Sequence, residues 1–504
     1  MQGYHGAVST VVGERALGGG QRLVTVICLC LALAAFVGLG VALLGPLVFL
    51  ACAIALAVAL ALLSSSIYPL WCMLAVIILL PFATLPVDLG VVPTFLEVAL
   101  VATLVVGALS RLRAGRYLLE VSPVGWFLLA LMGLMLGSFV LGMGYARPTV
   151  TSLRRFADML LSLFSFYIVL NLLSEPGDLQ RTVRFILCCA GAAAFLGVAL
   201  YFMPQSLSER LLASLGRLGY PTSGILRYIE DDPNQPLRAI GTSVDPNVFG
   251  GMLAFMGGIA VPQLFLPGSP RRRLLVLAVL AVVALALLLT FSRSSMVGLA
   301  VALLILGLVR YRKLLWLLLA GALLIVILPP TQAYVLHFIE GVQGQDLATQ
   351  MRFGEYKDAL TLISRYPWFG VGFTGAPDVD IYIGVSSLYL LITEEMGLVG
   401  LALFLVTAAS FFIYTWPRAR LARRMTPELE AVILGCETAV MAGLVAGVLD
   451  HYLFNLAFPH ASALLWVTIA IGVAAARAAE RGPALQASPH AGTSSHFDAQ
   501  GLGT

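Results

Sequence analysis

Charge is what this chain lacks. Only 11% of its 504 residues are charged, against roughly a quarter in an average soluble domain. So few charges could not solvate several globular domains, and a 60% hydrophobic share excludes a disordered or collagen-like chain. Lysine is nearly missing: Lys313 and Lys357 stand alone beside the arginines. Cysteine is sparse too. Cys28, Cys30, Cys52, Cys72, Cys188, Cys189 and Cys436 all lie in apolar runs, with no CxxC spacing and no histidine beside them. They read as small buried hydrophobes, which excludes a disulfide framework and leaves no thiolate metal site. There is no GxxxxGK[ST] loop and no Rossmann glycine pattern, so nothing points to a nucleotide or to nucleic acid. No metal and no cofactor is expected. Asp378-Val379-Asp380 has the spacing of a sugar-nucleotide metal pair, but it falls in a loop where such sugars are not expected.

What is present is apolar sequence in runs long enough to cross about 30 Å of hydrocarbon. Helical spans are expected near 24–44, 46–63, 68–86, 93–109, 123–143, 155–173, 182–203, 247–266, 273–291, 294–309, 313–329, 387–415, 430–449 and 457–477. The fold class is therefore all-α, a polytopic membrane bundle of about 12–14 helices. The first run starts late and leads straight into a second, so a cleavable signal peptide is not expected.

Basic residues set the orientation. Arg111 to Arg116, Arg271 to Arg273, Arg310 to Lys313, Arg418 to Arg424 and smaller groups fall in alternate connections, and together hold 19 of the 30 basic residues. The positive-inside rule puts those connections and both termini in the cytoplasm. The divisions follow: a cytoplasmic segment 1–22, helices 23–203, an external loop 204–246, helices 247–329, a larger external loop 330–386, helices 387–477, and a cytoplasmic tail 478–504. The tail is rich in Ala, Gly, Ser, Pro and His and reads as disordered. Long loops in compact proteins usually carry function.

Three outer stretches could hold chemistry. In the first, Arg238 to Gly251, Asp245-Pro246-Asn247 ends a polar loop and begins a helix. Asn247 can cap it, or the free N–H groups there can meet an anion beside Arg238. In the second, Arg293 sits among Ser292, Ser294 and Ser295 between two apolar helices. An arginine at that depth is either a snorkelling anchor or paired with an anion such as a lipid-linked phosphate. In the third, Phe353, Tyr356, Ala359, Leu360 and Ile363 are spaced as on an amphipathic surface helix from Arg352 to Arg365. Glu394 and Glu395 follow within an apolar run, where a carboxylate is either hydrogen-bonded in the bundle or functional.

In order and side these stretches resemble the O-antigen ligase/O-antigen polymerase superfamily. The likeness is carried by Arg238 with Asp245-Pro246-Asn247, by Thr290-Phe291-Ser292-Arg293-Ser294, by Arg352 with Pro367 to Gly372, and by Tyr389-Leu390 with Glu395 to Leu401. It implies a metal-independent, inverting, membrane-embedded glycosyltransferase. Its donor would be a glycan on undecaprenyl pyrophosphate at the periplasmic face, its other partners a glycan acceptor and membrane lipids, with a flippase and a chain-length regulator of the same pathway. Arg293 and Arg352 match family arginines that hold the pyrophosphate. Arg238, Asp245, Asn247, Ser294, Tyr389 and Glu395 would line the substrate.

The chain departs from the ligase pattern where ligases carry His-Asn before Tyr-Leu. Here that place holds Ser386-Ser387, and serine cannot act as a base near neutral pH. That favours a polymerase over a ligase. Glu355, one helical turn from Arg352, is the favoured replacement base, or the ion-pair partner of Arg352; Asp378 and Asp380 are further candidates. The alternatives are an O-antigen ligase and, outside enzymes, a flippase or transporter of lipid-linked glycans. A transporter should show related halves, and no internal repeat is visible.

Overall fold

Apolar runs become helices because a backbone without water must bond to itself, and their ends are set by short polar signals. In the computed structural model, residues 65–85, 92–113, 115, 120–327, 343–344, 347–375 and 385–486 are described. The helices are α1 (Ile67–Leu79), α2 (Phe95–Arg113), α3 (Pro123–Gly142), α4 (Val150–Leu172), α5 (Pro176–Phe202), α6 (Gln205–Ser214), α7 (Pro246–Ala260), α8 (Pro270–Leu289), α9 (Arg293–Val309), α10 (Arg312–Ile327), α11 (Leu347–Arg365), α12 (Leu388–Met425), α13 (Pro427–Ala446) and α14 (Pro459–Gln486). Two two-residue strands, β1 (Arg227–Tyr228) and β2 (Leu237–Arg238), pair antiparallel within the 204–246 loop.

The start signals are those the sequence offers. Ser122 caps α3 through Gly125 N–H, with Pro123 as its first residue. Thr149 and Ser152 form a capping box on α4. Among the described residues nine helices are long and apolar enough to span a membrane, and the chain is an all-α polytopic membrane protein. The expected spans 24–44 and 46–63 lie outside the described residues, as do Asp378, Asp380 and the tail beyond Gln486. The remaining twelve expected spans each fall on a helix.

Three boundaries differ from expectation. The span expected over 68–86 stops at Leu79, because Pro81 follows and the residue before a proline is driven out of helical backbone. The span expected to end near 415 runs to Met425 but is broken at Gly397, whose φ is 66°. The last helix continues past 477 to Gln486, where Glu480 holds Arg418 at 2.6 Å.

Helices α7, α13 and α14 form the centre. Their most apolar windows are 83–94% buried, against 28% for α8. Helix α9 packs on α13, α4 on α14, α3 on α12 and α5 on α8. Outward faces stay apolar, as at Leu274, Leu275, Trp316 and Ile413, which suits lipid. At one end, carboxylates gather arginines. Glu430 takes Arg310 at 2.6 Å and 3.0 Å. Glu120 takes Arg111 at 2.9 Å, with Arg477 and Arg481 near its other oxygen. Helix α9 runs to that end from the other, where the polar loops meet, and α13 runs back.

Candidate active site

The outer loops converge on the turn between α8 and α9. Thr290 closes α8, and Phe291 takes a left-handed backbone (φ 54°) that reverses the chain. Thr290 Oγ1 accepts Ser292 N–H at 3.1 Å, and Ser292 Oγ bonds Ser295 Oγ at 2.9 Å. Thr290, Ser292, Ser294 and Ser295 are all buried. Helix α7 can come this close because it presents glycine: a Cβ on Gly250 would lie 2.8 Å from Ser292 Cβ, and one on Gly251 would strike the Tyr452 ring. Arg293 is the first residue of α9.

Arg238 joins this turn to the loop before α7. Its Nε donates to Thr290 O at 2.8 Å and its Nη2 to Asn247 Oδ1 at 2.6 Å. Ala239 N–H bonds Leu289 O beside it at 2.8 Å. Burial pushes the Arg238 guanidinium down to about 10, with Asp245 and Asp450 opposing the shift and the like charge of Arg352 adding to it. It stays charged at neutral pH.

The helix cap is not the one the sequence suggested. Asp245 caps α7, its Oδ1 accepting Asn247 N–H at 2.7 Å and Val248 N–H at 2.9 Å. Pro246 is the first helical residue, so Asn247 lies inside the helix and its side chain is given to Arg238. An aspartate ahead of a proline outcompetes the asparagine behind it, because the cap residue must sit outside the helix with extended backbone.

Helix α11 brings Arg352 and Glu355. Its buried face holds Ala359 and Leu362, and Ala359 packs with Tyr356 against Val385, Leu390 and Leu391 around the start of α12. Phe353 and Leu360, expected on the apolar side of a helix lying at the membrane surface, are 60% and 58% exposed. Phe353 and Leu360 form an outward apolar edge of α11, and Met351 and Trp368 are exposed as well. Glu355 Oε2 accepts Ser386 N–H at 2.9 Å, and Tyr356 donates its hydroxyl to Ser386 O at 3.2 Å. Two consecutive side chains thus grip both backbone groups of Ser386, and burial raises the Tyr356 phenol. Among the described residues Arg352 forms no ion pair with Glu355. Its charge acts instead on Arg238 and Asp450.

The glycine-rich pieces of the third stretch work on the backbone. Val371 N–H and Gly372 N–H donate to Glu394 O and Glu395 O at 2.8 Å and 3.0 Å, carbonyls freed where Gly397 interrupts α12. A Cβ at Gly397 would overlap the Trp368 carbonyl. Ser138 Oγ bonds Glu395 O as well. Glu395 is thus held through its main chain; its side chain is buried, with Oε2 unpartnered among the described residues. Tyr389 donates to Leu444 O at 2.7 Å and ties α12 to α13.

Sequence reasoning missed the turn after α13. Asp450 is 5% exposed. Its Oδ2 accepts Ser294 Oγ at 3.3 Å, its Oδ1 accepts His451 N–H at 2.8 Å, and its carbonyl accepts Leu388 N–H at 2.9 Å. Burial raises the Asp450 carboxyl and Asp245 adds to that, while His451 and Arg352 pull it back. The signal was an Asp-His pair in a short connection between two apolar spans, at the end where the polar stretches gather.

The arrangement therefore joins Arg238, Asn247 and Ser294 with Asp450 in one hydrogen-bonded group, and adds the charge of Arg352. Such a cluster can hold a diphosphate and an attacking hydroxyl together. No curated protein matches the chain. Residues 276–405, from inside α8 to inside α12, match the family model described as O-antigen ligase. That segment contains Arg293, Arg352, Glu355, Tyr389 and Glu395 but neither Arg238 nor Asp450. Over that segment the chain is similar to the O-antigen ligase/O-antigen polymerase superfamily.

Proposed function

We propose that this protein polymerises O-antigen or exopolysaccharide repeat units carried on undecaprenyl pyrophosphate, at the periplasmic face of the inner membrane. The transfer inverts the anomeric carbon and needs no metal. The observation that carries this reading is the Arg238 joint, which links the loop before α7 to Thr290 and draws Arg238, Arg293 and Arg352 toward one end of the bundle. Guanidinium groups make forked, permanently charged contacts to phosphate oxygens. They also stabilise the charge that builds on a departing pyrophosphate. Basic residues gather at the opposite end, which supports a periplasmic location for the site. The outward apolar edge of α11 suits a prenyl chain lying at the membrane surface.

Transfer to lipid A core or protein, as by an O-antigen ligase, is the second reading, and the description of the matching family favours it. Ser386-Ser387 in place of His-Asn speaks for the polymerase. Deletion of the gene, followed by analysis of surface glycan length, separates them. Loss of long chains with single repeats retained supports the polymerase. Accumulated lipid-linked polymer supports the ligase. Unchanged surface glycan refutes both.

A further inference from the structure

Asp450 and His451 lie outside the region matched to the family, yet they are built into the site. The bond from Ser294 puts them beside Arg293, and the bond from Leu388 puts them beside Ser386-Ser387. The serines themselves offer that corner no group able to act as a base near neutral pH. His451 Nδ1 is buried 3.9 Å from Asp450 Oδ1 and has no hydrogen-bond partner among the described residues. The ring is 27% exposed, and with Nδ1 covered, its open edge is the one that carries Nε2. The pair has the layout of a base and its orienter: carboxylate inside, imidazole between, outer nitrogen accessible. In unliganded enzymes such contacts are often long and tighten on the substrate.

We propose that His451 is the general base of the transfer, with Asp450 as its positioning residue; this rests on the glycosyl-transfer reading above. His451 Nε2 takes the proton from an acceptor sugar hydroxyl. The oxygen's electron pair forms the new bond to the anomeric carbon of the donor. The bond from that carbon to the pyrophosphate oxygen breaks, and its electron pair leaves with the polyprenyl pyrophosphate toward the arginines. The imidazolium then gives its proton to water, and no further reactant is consumed. Glu355 has another task in that corner: its Oε2 accepts the Ser386 N–H, so it anchors the loop exit.

The test uses the full chain in proteoliposomes, with a polyprenyl-pyrophosphate-linked repeat unit as donor and acceptor. His451→Gln should lower kcat by about 100-fold or more, with KM for the lipid-linked unit and the thermal transition in detergent unchanged. Asp450→Asn should lower kcat without raising KM. His451→Ala should recover part of its rate when imidazole is added. His451→Gln with more than a tenth of the wild-type rate overturns the assignment and leaves the transfer reading standing. Should His451→Gln fail to fold, absence of imidazole rescue in a folded His451→Ala overturns it instead. A wild-type protein that extends no chains overturns both.

Discussion

Replacing Arg238 with lysine keeps the charge and removes the fork, so it asks whether the joint between the two outer loops matters. Arg238 makes two hydrogen bonds, to Thr290 O at 2.8 Å and to Asn247 Oδ1 at 2.6 Å. These come from nitrogens set at a fixed angle, and a single ammonium group cannot sit at both places. One bond from a charged donor is lost, which costs about 1.5–3 kcal/mol. If that energy holds the Thr290–Ser294 turn in its reactive geometry, the rate falls roughly ten- to hundredfold, at about 1.4 kcal/mol per factor of ten. Of the central helices α7, α13 and α14, Arg238 bonds only the first turn of α7, through Asn247, so membrane levels should not change. The assay is chain extension per molecule of membrane-extracted protein, with Arg238→Met for comparison. The methionine also leaves Thr290 O without its donor and should be worse. Full activity in Arg238→Lys would refute the idea that this joint orders the site.

Other substitutions divide the roles more finely. Arg293→Lys should lose much of the activity and Arg293→Ala more, on the order of 2–4 kcal/mol in kcat/KM if the contact forms in the transition state; a fully active Arg293→Ala makes Arg293 an interfacial anchor. Glu355→Gln keeps an oxygen for the Ser386 N–H, so chain extension should stay above about a tenth of the wild-type rate, a loss under 1.4 kcal/mol; complete loss would return Glu355 to the role of base. Asp450→Asn should raise the thermal transition in detergent at neutral pH, because burial raises the Asp450 carboxyl and so disfavours its charged form in the folded protein. The sign follows: the wild-type penalty is absent when the carboxyl is protonated in acid and grows as pH rises. The gain in Asp450→Asn should therefore vanish as pH falls toward the usual aspartate range, and a gain independent of pH would contradict the cause given.

Much of the fold was legible because its signals are local. Span length, a serine or threonine ahead of the first turn, and proline at the first position fix helices from within a few residues, as at Ser122 and Thr149. The stop at Leu79 was equally local, though the apolar run hid it. The long-range parts were not legible. Apolar spacing alone could not tell which apolar residues of α11 meet protein and which face outward, since Phe353 and Leu360 can face lipid as well as protein. The partner of Glu355 is a backbone amide 31 residues away, which no charge pattern reports. Arg293 was found as a charge out of place between apolar helices, and Arg238 and Asn247 as polar groups where a loop turns into a helix. Asp450 and His451 were passed over because a short turn between two spans looks like any other until Ser294 and Leu388 are seen to reach it.

The central claim is that the chain itself transfers glycan from a lipid-linked donor. It is tested most directly by purified protein in liposomes that contain a polyprenyl-pyrophosphate-linked repeat unit and no other protein. The account predicts a ladder of longer lipid-linked glycans with release of free polyprenyl pyrophosphate, abolished in Arg293→Ala. A lipid-linked unit that stays single while the protein remains folded, with or without a lipid A core acceptor, would contradict it.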